Sequence, residues 1–203
     1  MNRKPRVLEH YFTAHPTSAL HERTITTILR GNHVTFSTAN SLFSANKIDT
    51  GTRILIENVT LQPTWQVLDL GCGYGPVGIS LAKAHSDLVL VMSDVNARAT
   101  KLARKNAIQN HITAEIITSE GFAHIPQEFD TILLNPPQTA GKKVCETLIA
   151  QSKEHLVIGG LLQIVARHNK GGAQLEKYMI SVFGNAAQVA KQSGYRVYVS
   201  QKK

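Results

Sequence analysis

Three glycines, Gly71, Gly73 and Gly75, stand between an apolar strand-length run (Gln66–Leu70) and a helix-length run (Pro76–His85), and a fourth, Gly78, falls in the first turn of the latter. Such a junction must turn a strand into a helix within a few residues. Glycine accepts positive φ and lets backbone come close to a ligand, and the first turn of the helix adds oriented N–H groups. The junction commits the chain to an α/β fold with this turn at the carboxyl edge of a sheet. The sequence after Trp65 keeps that rhythm. Strand-like runs at 66–70, 88–93, 115–118, 129–134 and 160–166 are interspersed with helical stretches near 76–85, 97–109, 142–155 and 172–183. This is the pattern of βαβ units and a mostly parallel sheet. Two final strands, about 187–191 and 195–200, are separated only by Gln192, Ser193 and Gly194. So short a link forces an antiparallel pair. The expectation is an α/β, Rossmann-like, seven-stranded, mostly parallel sheet with an antiparallel C-terminal strand pair.

Residues 1–64 depart from this rhythm. Ile25–Arg30 and His33–Phe36 alternate apolar and polar residues about a Gly31-Asn32 turn signal, which predicts a hairpin, and Thr52–Val59 predicts a helix. No linker-like break follows, so residues 1–64 are expected to form a small hairpin and helix cap packed on a core of residues 65–203. The net charge of +8 is uneven: +3 over residues 1–63, −2 over 64–140 and +7 over 141–203. A basic excess suits a polyanion such as nucleic acid and says nothing of fold. Cys72 and Cys145 are too few for a disulfide scaffold, and the scattered histidines form no helical pair, so no metal site is expected. Arg3, Lys4 and Arg6 precede no apolar stretch, and no apolar run exceeds strand length. A soluble, cytoplasmic protein without a membrane partner is expected.

Asp94 ends the second core strand, 23 residues beyond Gly71, where a carboxylate can accept both hydroxyls of a ribose. Two nucleotide ligands compete for this arrangement. Gly73 to Gly78 fits the dinucleotide pattern G-x-G-x-x-G, a weak signal by itself. Taken as Asp69-x-Gly71-x-Gly73-x-Gly75, the loop begins with a carboxylate that would face the amino group of S-adenosylmethionine (SAM) and repel a pyrophosphate. SAM is the expected cofactor, with a merely tight turn as the structural alternative.

The fourth core strand ends in Asn135, Pro136, Pro137 and Gln138. Pro136 forces Asn135 out of the α region, and two successive prolines stiffen the exit. An Asn amide and a proline carbonyl held there could accept both hydrogens of an exocyclic amine, orienting its lone pair as the nitrogen is alkylated. The bland alternative is a surface turn that terminates a strand.

Together, Val67–Gly78, Asp94 and the Asn135-Pro136-Pro137 turn resemble class I SAM-dependent methyltransferases that modify amide or exocyclic amino nitrogens. Phe43, Ser44, Lys47, Asp49, Gly51 and Thr52 match the F-S-x-x-K-x-D-x-G-T segment of the "methyltransferase small" family. The His10–Phe12 opening and the tail, Lys170–Ala173, Phe183–Asn185 and Gly194–Val197, are similar too. The resemblance implies methyl transfer from SAM to guanine N2 of ribosomal RNA, with that RNA or the small ribosomal subunit as partner. Adenine N6, a protein glutamine amide, or SAM and RNA binding without catalysis are the alternatives.

By the same resemblance, Asp69, Gly71, Gly73 and Gly75 would line the methionine and ribose side, and Asp94 would bind ribose. Ser119 and Glu120 would lie near adenine, with Phe122 either beside them or in the core. Asp49, Gly51 and Thr52 would border the methionine end or the target pocket, with a helix N-cap at Asp49 or Thr50 as the local alternative. Asn135, Pro136, Pro137 and Gln138 would form the catalytic turn. In the family the position of Gln138 is usually aromatic and stacks on the target base, a contact of about 1–3 kcal/mol. Either the Gln138 amide plane or the Phe43 ring is expected to substitute. Arg98, Lys101, Arg104 and Lys105 suit a solvated helix face. Arg3, Lys4, Arg6, Lys142, Lys143, Arg167 and Lys170 are the expected RNA-facing rim.

Overall fold

The computed structural model describes residues 22–39 and 47–203. Phe43, the His10–Phe12 opening and the cations Arg3, Lys4 and Arg6 lie outside the described residues. Strands β1 (Glu22–Leu29) and β2 (Asn32–Ala39) pair antiparallel in a sheet of their own. They run longer than their apolar alternation, and the turn falls at Arg30-Gly31 rather than Gly31-Asn32, with φ of +44° and +74°. Two left-handed residues give the hairpin turn whose twist matches its strands. An arginine occupies the first because its guanidinium is held in place. Nε donates to Ile56 O and Nη2 to Val59 O, both at 2.7 Å, and Nη1 meets His85 Nε2 at 2.9 Å. These contacts tie the hairpin to the ends of α1 (Thr50–Asn58) and α2 (Pro76–Ala84).

The main sheet comprises β3 (Gln66–Leu70), β4 (Val89–Asp94), β5 (Glu115–Thr118), β6 (Phe129–Leu134), β7 (Leu156–Arg167), β8 (Ala187–Gln192) and β9 (Tyr195–Gln201). Their order is β5-β4-β3-β6-β7-β9-β8. β9 runs antiparallel to β7 and β8, and the other neighbours are parallel, as the strand spacing indicates. β7 begins at Leu156 rather than Gly160. Leu156 pairs with Phe129 across a register shift, and Gly159, at φ +82°, carries the chain through the irregularity. Paired glycines read as a break in a sequence; here they sit inside a bulged strand.

Alternation along the strands splits the core between two faces. Val67, Met92, Leu133, Val165 and Val197 pack under α1, α2 and α3 (Ala97–Gln109). Leu68, Leu70, Ile132, Leu134 and Ile164 pack under α4 (Lys142–Glu154) and α5 (Ala173–Phe183). Burial on both faces explains why the central strands read as nearly unbroken apolar runs. Among the described residues no helix is long and apolar enough to cross a membrane.

Two amides docked against β2, one from α3 and one from its C-cap, satisfy backbone groups of its free edge. Asn106 Oδ1 accepts from Ser37 N at 2.7 Å, while its Nδ2 donates to Ser37 O and to Tyr74 O of the glycine turn, each at 2.8 Å. One helical turn on, Asn110 Oδ1 accepts from Thr35 N at 3.1 Å and Nδ2 donates to Thr35 O at 2.8 Å. Each amide imitates a neighbouring strand. Asn106→Ala leaves one N–H and two carbonyls unpaired in the interior, so unfolding free energy is expected to fall by about 2–4 kcal/mol. Thermal melts read this as a Tm lowered by several degrees; an unchanged Tm would mean the Asn106 amide contributes nothing to holding the hairpin.

Candidate active site

The strand order reverses at β3, which has β4 on one side and β6 on the other. A crevice opens outside the carboxyl ends of strands at such a point. Asp69 near the end of β3, Asp94 ending β4 and Asn135 just beyond β6 converge there.

Between β3 and α2, Gly71, Gly73 and Gly75 adopt φ of +72°, +57° and +90°. A Cβ on Gly71 or Gly73 would find no atom within 4 Å, so both face open space. Gly75 differs: it is the N-cap of α2, and a Cβ there would stand 2.8 Å from Ile79 Cδ1. Two carboxylates pin the turn. Asp69 Oδ2 accepts from Gly78 N at 2.9 Å, and Asp94 accepts from Gly73 N and Asn96 N, each at 2.8 Å. Burial raises the pKa of Asp69 to about 7; the Gly78 N–H opposes this and the charge of Asp94 adds to it. Burial also raises Asp94, against the hydrogen bonds from Asn96 and Gly73.

Two compartments open from this point. One, of about 590 Å³, is bordered by Asp49, Thr52, Asp69, Gly73, Pro136, Gln138, Arg167 and Tyr195 among others. The second, of about 690 Å³, includes Ser93, Ser119, Glu120, Pro137, Lys143 and Gln151. Gly71, Asp94 and Asn135 border both. Of the residues singled out in the sequence as site candidates, Gly51 and Gly75 border neither compartment. Phe122 belongs to the core, where it stacks on His155 with centroids 4.3 Å apart.

Asp49 caps α1, its Oδ2 accepting from Thr52 N at 3.1 Å, and borders the first compartment as well. The N-cap at Asp49 is therefore formed. Gly51 allows close packing instead: a Cβ there would stand 2.8 Å from Tyr195 Cε1. After β6, Gln138 N donates to Pro136 O at 2.8 Å across Pro137 (φ −75°, ψ 74°), an inverse γ-turn that engages one lone pair of that carbonyl. Asn135 Nδ2 donates to Thr52 Oγ1 at 3.1 Å, which leaves Oδ1 as the open acceptor. Gln138 Nε2 donates to Lys170 O at 2.9 Å, tying this turn to the irregular turn at His168–Gly172. The last two links join residues 83 and 32 positions apart, and no sequence periodicity signals either.

Folded Asp69 holds its proton to about pH 7, whereas an ordinary carboxyl releases it near 3.8. The stability this group contributes is therefore complete below pH 3.8 and is lost as pH rises towards about 7. Asp69→Asn keeps an acceptor for Gly78 N without the buried charge. It is expected to raise the Tm of the ligand-free protein, and to do so more at pH 8 than at pH 5. Calorimetric scans at the two pH values measure the difference; equal gains would mean that Asp69 carries no charge penalty.

Residues 33–199 match the methyltransferase small domain family. The chain is 37% identical over 199 residues to the uncharacterized protein YbxB of Bacillus subtilis (strain 168), spanning 96% of this chain and 98% of that one. It is 36% identical over 162 residues to ribosomal RNA small subunit methyltransferase C of Pasteurella multocida (strain Pm70). That match spans 77% of this chain and 48% of the relative, so the chain is similar to about half of the longer protein. Among solved structures, the T. thermophilus 16S rRNA N2 methyltransferase RsmC, in complex with AdoMet and guanosine, has the same fold. The TM-score is 0.77 at 23% identity, over 93% of this chain and 52% of that one. With its two compartments meeting at a glycine turn and most of its length matched, the chain belongs to the methyltransferase small domain family of SAM-dependent enzymes.

Proposed function

We propose that this protein transfers a methyl group from SAM to the exocyclic N2 amine of a guanine in ribosomal RNA, in the cytoplasm. The observation that carries the reading is Asn135. It stands on a stiff turn where the two compartments meet, with Nδ2 held by Thr52 and Oδ1 open. The choice of guanine in ribosomal RNA is supported by the names of the relatives: one is a ribosomal RNA methyltransferase, and one is described with AdoMet and guanosine bound.

The residues suit SAM. Two compartments joined at Gly71, Asp94 and Asn135 fit a ligand with two ends and a ribose between them. The open space at Gly71 and Gly73 leaves room for its backbone-facing edge. Asp94 would take the ribose hydroxyls, Ser119 and Glu120 the adenine side, and Asp69 the methionine ammonium. Fully buried Ser93 Oγ has no hydrogen-bond partner and borders the adenine-side compartment, where the ligand would supply one. Bound SAM supplies an electrophilic methyl group carried on a sulfonium.

The chain's own residues contribute alignment and electrostatics. Asn135 Oδ1 accepts one amine hydrogen and the remaining lone pair of Pro136 O accepts the other, which turns the nitrogen lone pair away from both. The same acceptors stabilise the positive charge that builds on the nitrogen. Thr52 fixes the amide so that its oxygen, not its nitrogen, meets the amine. No protein nucleophile is called on; burial keeps the neighbouring Cys72 thiol protonated. Lys143 at the compartment edge, with Lys142 and Lys170, would meet the RNA backbone.

Asn135→Ala is expected to bind SAM normally in calorimetry while losing methyl transfer by about 10²–10³-fold. Labelled-methyl transfer to ribosomal RNA, with mass spectrometry of the product nucleoside, tests the reading: N2-methylguanosine supports it, and N6-methyladenosine or a labelled protein moves the substrate. Full activity in Asn135→Ala would remove the residue from the chemistry. Thr52→Val is expected to lower kcat about tenfold with SAM affinity unchanged, and Thr52→Ser to restore it. Equal rates in Thr52→Val and the wild type would leave Asn135 oriented by its turn alone.

A further inference from the structure

Three carboxylates, Asp49, Asp69 and Asp94, border the first compartment, and among the described residues Arg167 is its one cationic side chain. Arg167 nevertheless forms no ion pair with any of them; its guanidinium carbon lies over the Tyr195 ring, 5.2 Å from the centroid. The fold sets up this pair. Antiparallel pairing of β7 with β9 puts Arg167 directly opposite Tyr195. The absence of a side chain at Gly51 lets the ring lie against α1. The ring is half-buried and the arginine exposed. Gln138 borders the same compartment, and its amide is committed to Lys170 O. That bond holds the loop after Arg167 against the Asn-Pro-Pro turn, so Gln138 acts as a clamp on backbone.

A guanidinium resting one face on an aromatic ring keeps its other face and its N–H edge for a ligand. Inside this compartment three carboxylates disfavour a phosphate, whereas a neutral planar ring meets no such repulsion. Bases taken out of a nucleic acid stack on arginine planes as well as on aromatic rings. We propose that Arg167, supported by Tyr195, is the planar surface on which the methyl-accepting purine stacks, and that this pair does the work of an aromatic residue at position 138. The proposal rests on the RNA reading of the same site. Tyr195 acts through Arg167 as a positioning residue.

The test compares Arg167→Ala, Arg167→Lys, Tyr195→Leu and Tyr195→Phe, using ribosomal RNA and assembled small subunits as acceptors. Arg167→Ala and Arg167→Lys are both expected to raise KM for RNA by roughly ten- to a hundredfold, with SAM Kd unchanged. The slope of log affinity against log salt is expected to stay as in the wild type. Tyr195→Leu shifts KM the same way, and Tyr195→Phe recovers what Tyr195→Leu loses. Lysine keeps the charge and lacks the plane, so recovery in Arg167→Lys, or a salt slope reduced by about one, makes Arg167 a phosphate contact and overturns the proposal. If the wild type methylates RNA and Arg167→Ala does so with the same KM, the stacking role alone falls. If the wild type transfers no methyl to RNA, the stacking role falls together with the function beneath it.

Discussion

Two carboxylates hold the turn between β3 and α2, one on each of two adjacent parallel strands. Asp69 takes the N–H of Gly78 in the first turn of α2 and Asp94 takes that of Gly73, so acidic side chains hold both the turn and the helix it leads into. A third bond, from Cys72 N to Ser93 O at 2.8 Å, anchors the start of the turn to β4. Left-handed Gly71 and Gly73 leave space, not side chains, on the cleft side. Burying these two acids is unfavourable, and the raised pKa of each records it. A neutral acceptor would hold the turn at lower cost. The penalty is therefore concentrated where a cationic ligand would relieve it, as at sites where stability is given up for binding.

From the pinned turn, contacts run out into the N-terminal part of the chain. Asn106 joins Tyr74 O of the turn to Ser37 of β2, and the Phe36 ring packs edge-on against Tyr74, so the hairpin supports the glycine turn. Arg53 on α1 reaches back to Ile28 O and Thr27 Oγ1 of β1. Gln163 of β7 binds both the N–H and the carbonyl of Thr60, just beyond α1. Held on both sides, α1 presents Asp49 and Thr52 at its N-terminus to the first compartment. The amide of Asn135 is thus oriented by a hydroxyl from a segment that shares none of the βαβ rhythm.

The parts legible in the sequence are those encoded locally. The seven strands, the antiparallel pair at the end and the glycine turn follow from period, turn residues and loop length over a dozen residues or fewer. Asp94 and Asn135 were legible because strand ends on one edge of a parallel sheet face one crevice. What escaped was set by tertiary contact. The hairpin turn moved to Arg30 because three remote groups hold its guanidinium. β7 passes through Gly159 because the neighbouring strand accommodates a bulge. Gly75 and Gly51 look like cleft glycines by motif, yet each makes way for a neighbour's side chain, Ile79 and Tyr195. The Thr52–Asn135, Gln138–Lys170 and Arg167–Tyr195 contacts join distant segments whose composition says nothing of one another.

The uneven charge of the chain acquires meaning from this geometry. Acids border the interior of the first compartment, while Lys142, Lys143 and Lys170, all exposed, belong to α4 and to the turn after β7, with Lys143 bordering the second compartment. Lys142 is partly spent on Glu146 at 3.3 Å, a pair one helical turn apart that solvent screens. On the proposed reading, an RNA strand approaching such a surface would meet attraction for its phosphates at the rim and repulsion for them inside. The part of the RNA suited to enter would be an uncharged base that has left its stack, which costs a few kcal/mol for a paired nucleotide and less for an unpaired one. The proposed substrate is then a nucleotide already splayed from a helix, in a loop or bulge, rather than one in a continuous duplex.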